Sequence, residues 1–162
     1  MKILYYGGQK SGKSKYAEKH TLKLSLSPYY IATYDDSYSD KEMKLRIKKH
    51  QKQRKDRFIT IEETTDLVKV IDDDKTYLVD CISMWILNNI DTPKKLFKQL
   101  KKLKKSKANI VFVLNNTNEG VIPLDSLSRK FVDLSGIVGQ KLAKMCDEVY
   151  EVKLGLKTQL KG

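Results

Sequence analysis

The octapeptide Gly7-Gly8-Gln9-Lys10-Ser11-Gly12-Lys13-Ser14 limits the possible folds of this chain more than any other stretch. It has the form G-x-x-x-x-G-K-[ST], follows the apolar run Ile3-Leu4-Tyr5-Tyr6 and opens a segment, Lys13 to Leu26, expected to be helical. Glycines at these places let backbone N–H groups converge on phosphate oxygens with no Cβ in the way, and the following helix N-terminus adds partial positive charge. In a strand-loop-helix unit of this kind, Lys13 is expected to reach β- and γ-phosphates and the Ser14 hydroxyl to ligate Mg²⁺.

The rest of the chain alternates strand and helix signals. Strands are expected over Lys2–Tyr6, Tyr29–Thr33, Phe58–Ile61, Thr76–Asp80, Asn109–Leu114 and Glu148–Lys153. Helices are expected over Lys13–Leu26, Ser39–Lys55, Thr65–Ile71, Ile82–Ile90, Lys94–Lys105 and Ser126–Met145. Such alternation predicts a mostly parallel sheet with helices on both faces. In the longest helix, Leu127, Phe131, Leu134, Val138, Leu142 and Met145 form one apolar stripe. No repeat or Pro-rich linker divides the 162 residues, a length that suits one domain.

Composition excludes several classes. The longest apolar runs fall far short of the roughly 20 residues that cross a bilayer, and Met1-Lys2 leads directly into a strand with no signal segment, so a cytoplasmic location is expected. Cys81 and Cys146 lack the spacing of a zinc site or a disulfide framework and read as small buried hydrophobes. A net charge of +12 favours anionic partners. Lys outnumbers Arg 28 to 4, however, and Arg is the residue suited to planar phosphate and base recognition. The lysine-rich stretch Lys94–Lys107 therefore reads as the solvated face of an amphipathic helix, with Leu96, Phe97, Leu100 and Leu103 turned inward, in preference to a nucleic-acid patch.

Two further residues carry chemistry. Asp80 ends the apolar strand Thr76-Tyr77-Leu78-Val79, on what is expected to be a strand neighbouring the glycine-rich loop. It is a candidate for Mg²⁺ or nucleotide contact, with capping of the helix at Ile82 as its structural role. Ser39-Asp40-Lys41-Glu42 has the form of a capping box, and on the helix it opens, His50 shares a face with Met43, Ile47 and Arg54. Arg46 and Arg54 flank His50 at one helical turn on either side, which keeps the imidazole neutral and nucleophilic near pH 7. A lone histidine is nevertheless more often structural than nucleophilic. His20, at a lysine-rich helix end, reads as structural.

Several stretches, in order along nearly the whole chain, resemble the adenosylcobinamide kinase / adenosylcobinamide-phosphate guanylyltransferase family of cobalamin biosynthesis. They are ILYYGGQKSGKSKYAE from Ile3, YIAT at Tyr30–Thr33, EMKLRIKKHQKQR at Glu42–Arg54, TIEE at Thr60–Glu63, LVDCISMWILNNI at Leu78–Ile90, GVIP at Gly120–Pro123, LSRKFVDLSG at Leu127–Gly136 and DEVYEVKLG at Asp147–Gly155. The R-I-x-x-H-x-x-x-R segment, with Glu62, VDC and the S-R-x-F-x-D-x-x-G helix in this order, is more specific than the loop alone. The resemblance implies a P-loop NTPase (RecA-like) α/β domain with two activities, phosphorylation of adenosylcobinamide and transfer of GMP from GTP through a covalent histidine. It implies that His50 is the guanylylated residue. Nucleotide contacts are implied for Gly7, Gly8, Gln9, Lys10, Ser11, Gly12, Lys13 and Ser14, for Thr33, Tyr34 and Asp35, for Gln51, Lys52, Gln53 and Arg54, and for Glu62 and Asp80. GTP and ATP as nucleotides, Mg²⁺ held by Ser14 and Asp80, and a homotrimer are implied as well. The chain departs from the family pattern at Asn116, where a Glu is usual, and at Gly139, where an Asn commonly precedes Gln140. A P-loop small-molecule kinase without guanylyl transfer, and a basic nucleotide-responsive binding protein, are the alternative readings.

Overall fold

Along the strand Lys2–Gly7 (β1), Leu4 enters one apolar layer while Ile3 and Tyr5 enter another, the pattern of a strand covered on both faces. The computed structural model describes residues 1–34 and 57–162. The helix expected over Ser39–Lys55, and with it Asp35, His50, Gln51, Lys52, Gln53 and Arg54, lies outside the described residues. After β1 come α1 (Lys13–Leu24), β2 (Tyr29–Ala32), β3 (Ile59–Glu62), a 3₁₀ turn (Leu67–Lys69), β4 (Thr76–Asp80), α2 (Ile82–Asn88) and α3 (Pro93–Lys105). Then follow β5 (Asn109–Asn115), α4 (Ser126–Met145), β6 (Glu148–Lys153) and β7 (Leu156–Lys161).

The strands form one seven-stranded sheet in the order β3-β2-β4-β5-β1-β6-β7, parallel throughout except for β7, which runs antiparallel to β6. The apolar side chains of α1 join Ile3, Tyr5, Leu78, Val111, Val113 and Val152 on one face. On the other, Trp85 and Ile86 of α2, Leu96, Leu100 and Leu103 of α3, and Leu134, Val138 and Leu142 of α4 pack on Leu4, Val79 and Phe112. Pro93 begins α3 with its fixed φ, and Lys102, Lys104 and Lys105 in the last turn complement the helix dipole. Asp125 caps α4, accepting the Ser128 N–H at 2.8 Å.

The differences from the sequence-based expectations have physical causes. The segment Thr65–Ile71 is only a 3₁₀ turn, because the Glu63 carboxylate accepts the N–H groups of Thr65 and Asp66 and the Gln99 side chain accepts that of Leu67, so these donors have no need of a helix. Those hydrogen bonds hold Glu63 below the usual carboxylate range although burial acts in the opposite direction. The apolar stripe of α4 is buried only in its middle. Leu127, in the first turn of α4, is 57 % exposed, while Leu134, Val138 and Leu142 are buried. Cys146 is buried as expected, whereas Cys81 is only half-buried. β7 was not expected; every residue in it is exposed and its sequence alternates without a core face.

On the α1 face, the Tyr5 hydroxyl lies 2.9 Å from His20 Nδ1, Tyr150 donates to Glu148 at 2.6 Å, and the Tyr5 and Tyr150 rings stack with centroids 5.0 Å apart. Burial, aided by Lys157 and Lys23, lowers the His20 pKa against the pull of Glu148. A depressed folded-state pKa means that the neutral ring stabilises the fold above the unfolded value of 6.5, and that this contribution is lost as pH falls below it. The melting temperature should therefore fall between pH 7 and pH 5 by more in the wild type than in His20→Gln. Parallel curves for the two proteins would remove His20 as the cause.

Candidate functional site

In the parallel part of the sheet, every strand delivers its C-terminal residue to one edge, and ligands of open α/β sheets bind outside that edge. Gly7 sits there in register with Asn115 of β5 and Val152 of β6. The loop that follows turns sharply: Lys10 has φ 56 and Gly12 φ 96, both left-handed, and α1 starts at Lys13. Glycine is needed at Gly7 for a second reason. A Cβ there would lie 2.3 Å from the Val152 carbonyl oxygen and 2.8 Å from Ser11 Oγ.

Lys13 is 6 % exposed and its Nζ donates to the Gly8 carbonyl at 3.0 Å, which folds the side chain back across the loop. Burial lowers its pKa, while the charges of Asp80 and Cys81 work to raise it. That coupling follows from register. Asp80 pairs with Val113, Val113 with Tyr5, and all three face α1 with Leu78, so the Asp80 carboxylate is directed toward the side of the sheet from which Lys13 rises. β4 is not the strand beside β1, contrary to the sequence-based expectation; β5 lies between them. Nor does Asp80 cap α2, whose N-cap residue is Cys81 with no side-chain cap bond. Burial and the adjoining Asp80 push the Cys81 thiol up to about 11.

Thr33 and Tyr34 follow β2 at the same edge. The buried Thr33 hydroxyl donates to the Cys81 carbonyl at 2.7 Å and accepts its N–H at 3.0 Å, tying the ends of β2 and β4 together. Asn88 extends the tie, its amide nitrogen donating to Thr33 O at 2.8 Å and Thr64 O at 2.9 Å. Glu62 and Asp80 are each in register with Ala32, so the two carboxylates stand on either side of β2, and Glu62 is exposed. Two strand spacings, roughly 9.5 Å, separate their backbones, which suits contact with different parts of an extended ligand.

The edge thus brings together Gly7 to Ser14, Thr33, Tyr34, Glu62 and Asp80. Asn116 is here too, its N–H donating to the Gly7 carbonyl at 2.8 Å. Gly139, on α4, packs closely: a Cβ would sit 3.3 Å from Leu114 Cδ2, so a side chain there would require the Leu114 tip to shift by a few tenths of an ångström. Sequence reasoning missed Gly155, which contacts the loop from the β6-β7 turn, and Tyr16 of α1, whose hydroxyl holds that turn; the signal available was Leu154-Gly155, a turn-forming pair after a strand.

With this geometry in place, comparison with known proteins gives a consistent result. Residues 3–160 match the family described as cobinamide kinase / cobinamide phosphate guanyltransferase, CobU. The chain is 35 % identical over 172 residues to the bifunctional adenosylcobalamin biosynthesis protein CobP of Pseudomonas aeruginosa, covering 100 % of this chain and 98 % of that protein. It is 28 % identical over 184 residues to the bifunctional adenosylcobalamin biosynthesis protein CobU of Escherichia coli, covering 99 % and 100 %. Among solved structures it resembles a KaiC-like protein from Pyrococcus horikoshii OT3, with a TM-score of 0.51 at 13 % identity over 93 % of this chain and 69 % of that one. The fold is that of the P-loop NTPases, and no helix among the described residues is long and apolar enough to cross a membrane.

Proposed function

The chain belongs to the cobinamide kinase / cobinamide phosphate guanyltransferase family, a family of kinases and nucleotidyltransferases that use nucleoside triphosphates, and from that membership we propose the course of its two reactions. In the first, the chain transfers the γ-phosphoryl group of ATP or GTP to the hydroxyl of adenosylcobinamide. In the second, a neutral His50 nitrogen attacks the α-phosphorus of GTP, a P–N bond forms, and the bond to pyrophosphate breaks. The phosphate oxygen of adenosylcobinamide phosphate then attacks the same phosphorus, and the protonated imidazole leaves. Splitting one transfer into two displacements is what a nucleophilic side chain contributes.

The observation that carries this reading is Lys13, buried against the glycine loop with its Nζ on the Gly8 carbonyl, on the side of the sheet toward which Asp80 is directed. An ammonium in that position stabilises negative charge on the departing phosphate groups. The remaining contacts proposed are the backbone of Gly7 to Ser14 with the phosphates, Thr33, Tyr34 and Asp35 with the nucleotide, Gln51 to Arg54 beside the histidine, and Glu62 or Asp80, two strands apart, with the guanine. Ser14, in the first turn of α1, and Asp80 supply hard oxygen donors, and Mg²⁺ typically takes one or two carboxylates plus phosphates and water. These residues would hold the ion, which when bound neutralises phosphate charge. A single catalytic domain, a homotrimer and a cytoplasmic location belong to the same proposal.

The test is incubation with Mg²⁺ and GTP labelled at the α-phosphate, followed by denaturation. The wild type is expected to retain label that acid releases and alkali does not, and His50→Ala to retain none. Nucleotide binding without covalent label in the wild type would leave a P-loop kinase that transfers only the γ-phosphate.

A further inference from the structure

The glycine loop is held from outside its own motif. The turn between β6 and β7, Leu154-Gly155, lies against it. The Gly155 N–H donates to the Ser11 carbonyl at 3.1 Å, and the Tyr16 hydroxyl donates to the Gly155 carbonyl at 2.9 Å. Both turn residues have positive φ, 53 at Leu154 and 80 at Gly155, and this conformation brings the Gly155 N–H to the loop. The approach is close enough that a Cβ on Gly12 would stand 3.8 Å from the Gly155 Cα.

The consequence follows from the planarity of the peptide. In a trans peptide the C=O and the following N–H point in opposite directions. Directing the Ser11 carbonyl outward, to Gly155, therefore directs the Gly12 N–H inward. Gly12 has φ 96, and a glycine populates both signs of φ readily, so the Gly12 side of this peptide offers little resistance to a flip that would present a carbonyl to an incoming phosphate. We infer that Tyr16 and Gly155 are positioning residues, which lock the Ser11-Gly12 peptide so that the Gly12 N–H faces the phosphate tail of the nucleotide. Tyr16 holds the turn, the turn holds the Ser11 carbonyl, and the site is ordered before ligand arrives. The inference rests on the reading of this loop as a phosphate cradle.

The experiment compares the affinities of GTP and GMP, which differ in the β- and γ-phosphates, by equilibrium titration. Tyr16→Phe removes only the hydroxyl and is expected to raise the GTP Kd roughly 3- to 10-fold, the range of one lost hydrogen bond, while the GMP Kd stays within about 2-fold. Gly155→Ala strains the positive φ without a clash, since nothing lies within 4 Å of the added Cβ, and is expected to act in the same direction. Lys157→Ala, which removes the cation 4.1 Å above the Tyr150 ring in the same hairpin, is the control and should leave both affinities unchanged. An unchanged GTP Kd in Tyr16→Phe, or equal weakening of GTP and GMP, overturns the positioning role. Lys13→Ala separates this failure from that of the cradle itself. If it also leaves GTP affinity intact, the cradle reading fails; if it weakens GTP while Tyr16→Phe does not, only the positioning role fails.

Discussion

Lys13→Ala is expected to lower kcat/KM for both phosphoryl and guanylyl transfer by roughly 10²- to 10³-fold, the usual loss when one preorganised charge on the transition state is removed. The same substitution should barely disturb the fold. Burial depresses the Lys13 pKa, so the folded protein holds this ammonium at a cost that Asp80 offsets only in part, and the variant relieves that cost while giving up packing of the stem. A melting temperature within about 4 °C of wild type, alongside the lost rate, is the expected pairing, since about 1 kcal/mol moves a chain of this size by roughly 2 to 4 °C. Steady-state assays of both half-reactions and a thermal melt on one preparation check it. A rate within tenfold of wild type would remove Lys13 from the chemistry.

The second large effect runs the other way, from stability to function. In Gly7→Ala the new methyl meets the Val152 carbonyl oxygen at 2.3 Å, and that oxygen belongs to a paired strand with no rotamer to change. β1 and β6 must separate at their C-terminal ends, at a cost of about 3 kcal/mol, the upper part of the usual overpacking range. Thermal unfolding should then come roughly 6 to 12 °C lower. Because Gly7 also begins the loop, nucleotide affinity should fall even in the fraction that remains folded. Gly8→Ala is the contrast, with nothing within 4 Å of its added Cβ. Equal melting temperatures for the two variants would mean that the β1-β6 contact yields more easily than its geometry implies.

Most strands and helices were legible because each carries its own period: α4 matches its expected bounds, Ser126–Met145, and β4 its Thr76–Asp80. What was not legible depends on partners far along the chain. That β5 separates Asp80 from the glycine loop is a fact of strand order, and no local pattern encodes strand order. β7 has only a weak alternation, Leu156, Thr158 and Leu160 between polar residues, and no buried face behind it, so it does not stand out as a strand. At the site, Gly7 to Ser14 declared themselves by composition. Tyr16 looked like any helix residue, because its partner is a backbone carbonyl 139 positions away. Thr33, marked by resemblance alone, has its hydroxyl engaged by the backbone of Cys81, and a single sequence cannot distinguish such a tie from a ligand contact.

The place of β1 between β5 and β6 also sets a schedule for the molecule's assembly. During synthesis the strand that carries the phosphate loop emerges first, yet its two partners begin at Asn109 and Glu148, and the Lys2 N–H finds its acceptor at Asp147, 145 positions later. Contacts of such separation cost loop-closure entropy before they return any energy, and they place a fold among the slower ones. The nascent chain therefore carries its nucleotide motif before the strands that flank it have been made. Binding that needs the assembled loop is expected to stabilise the protein only after β6 has docked.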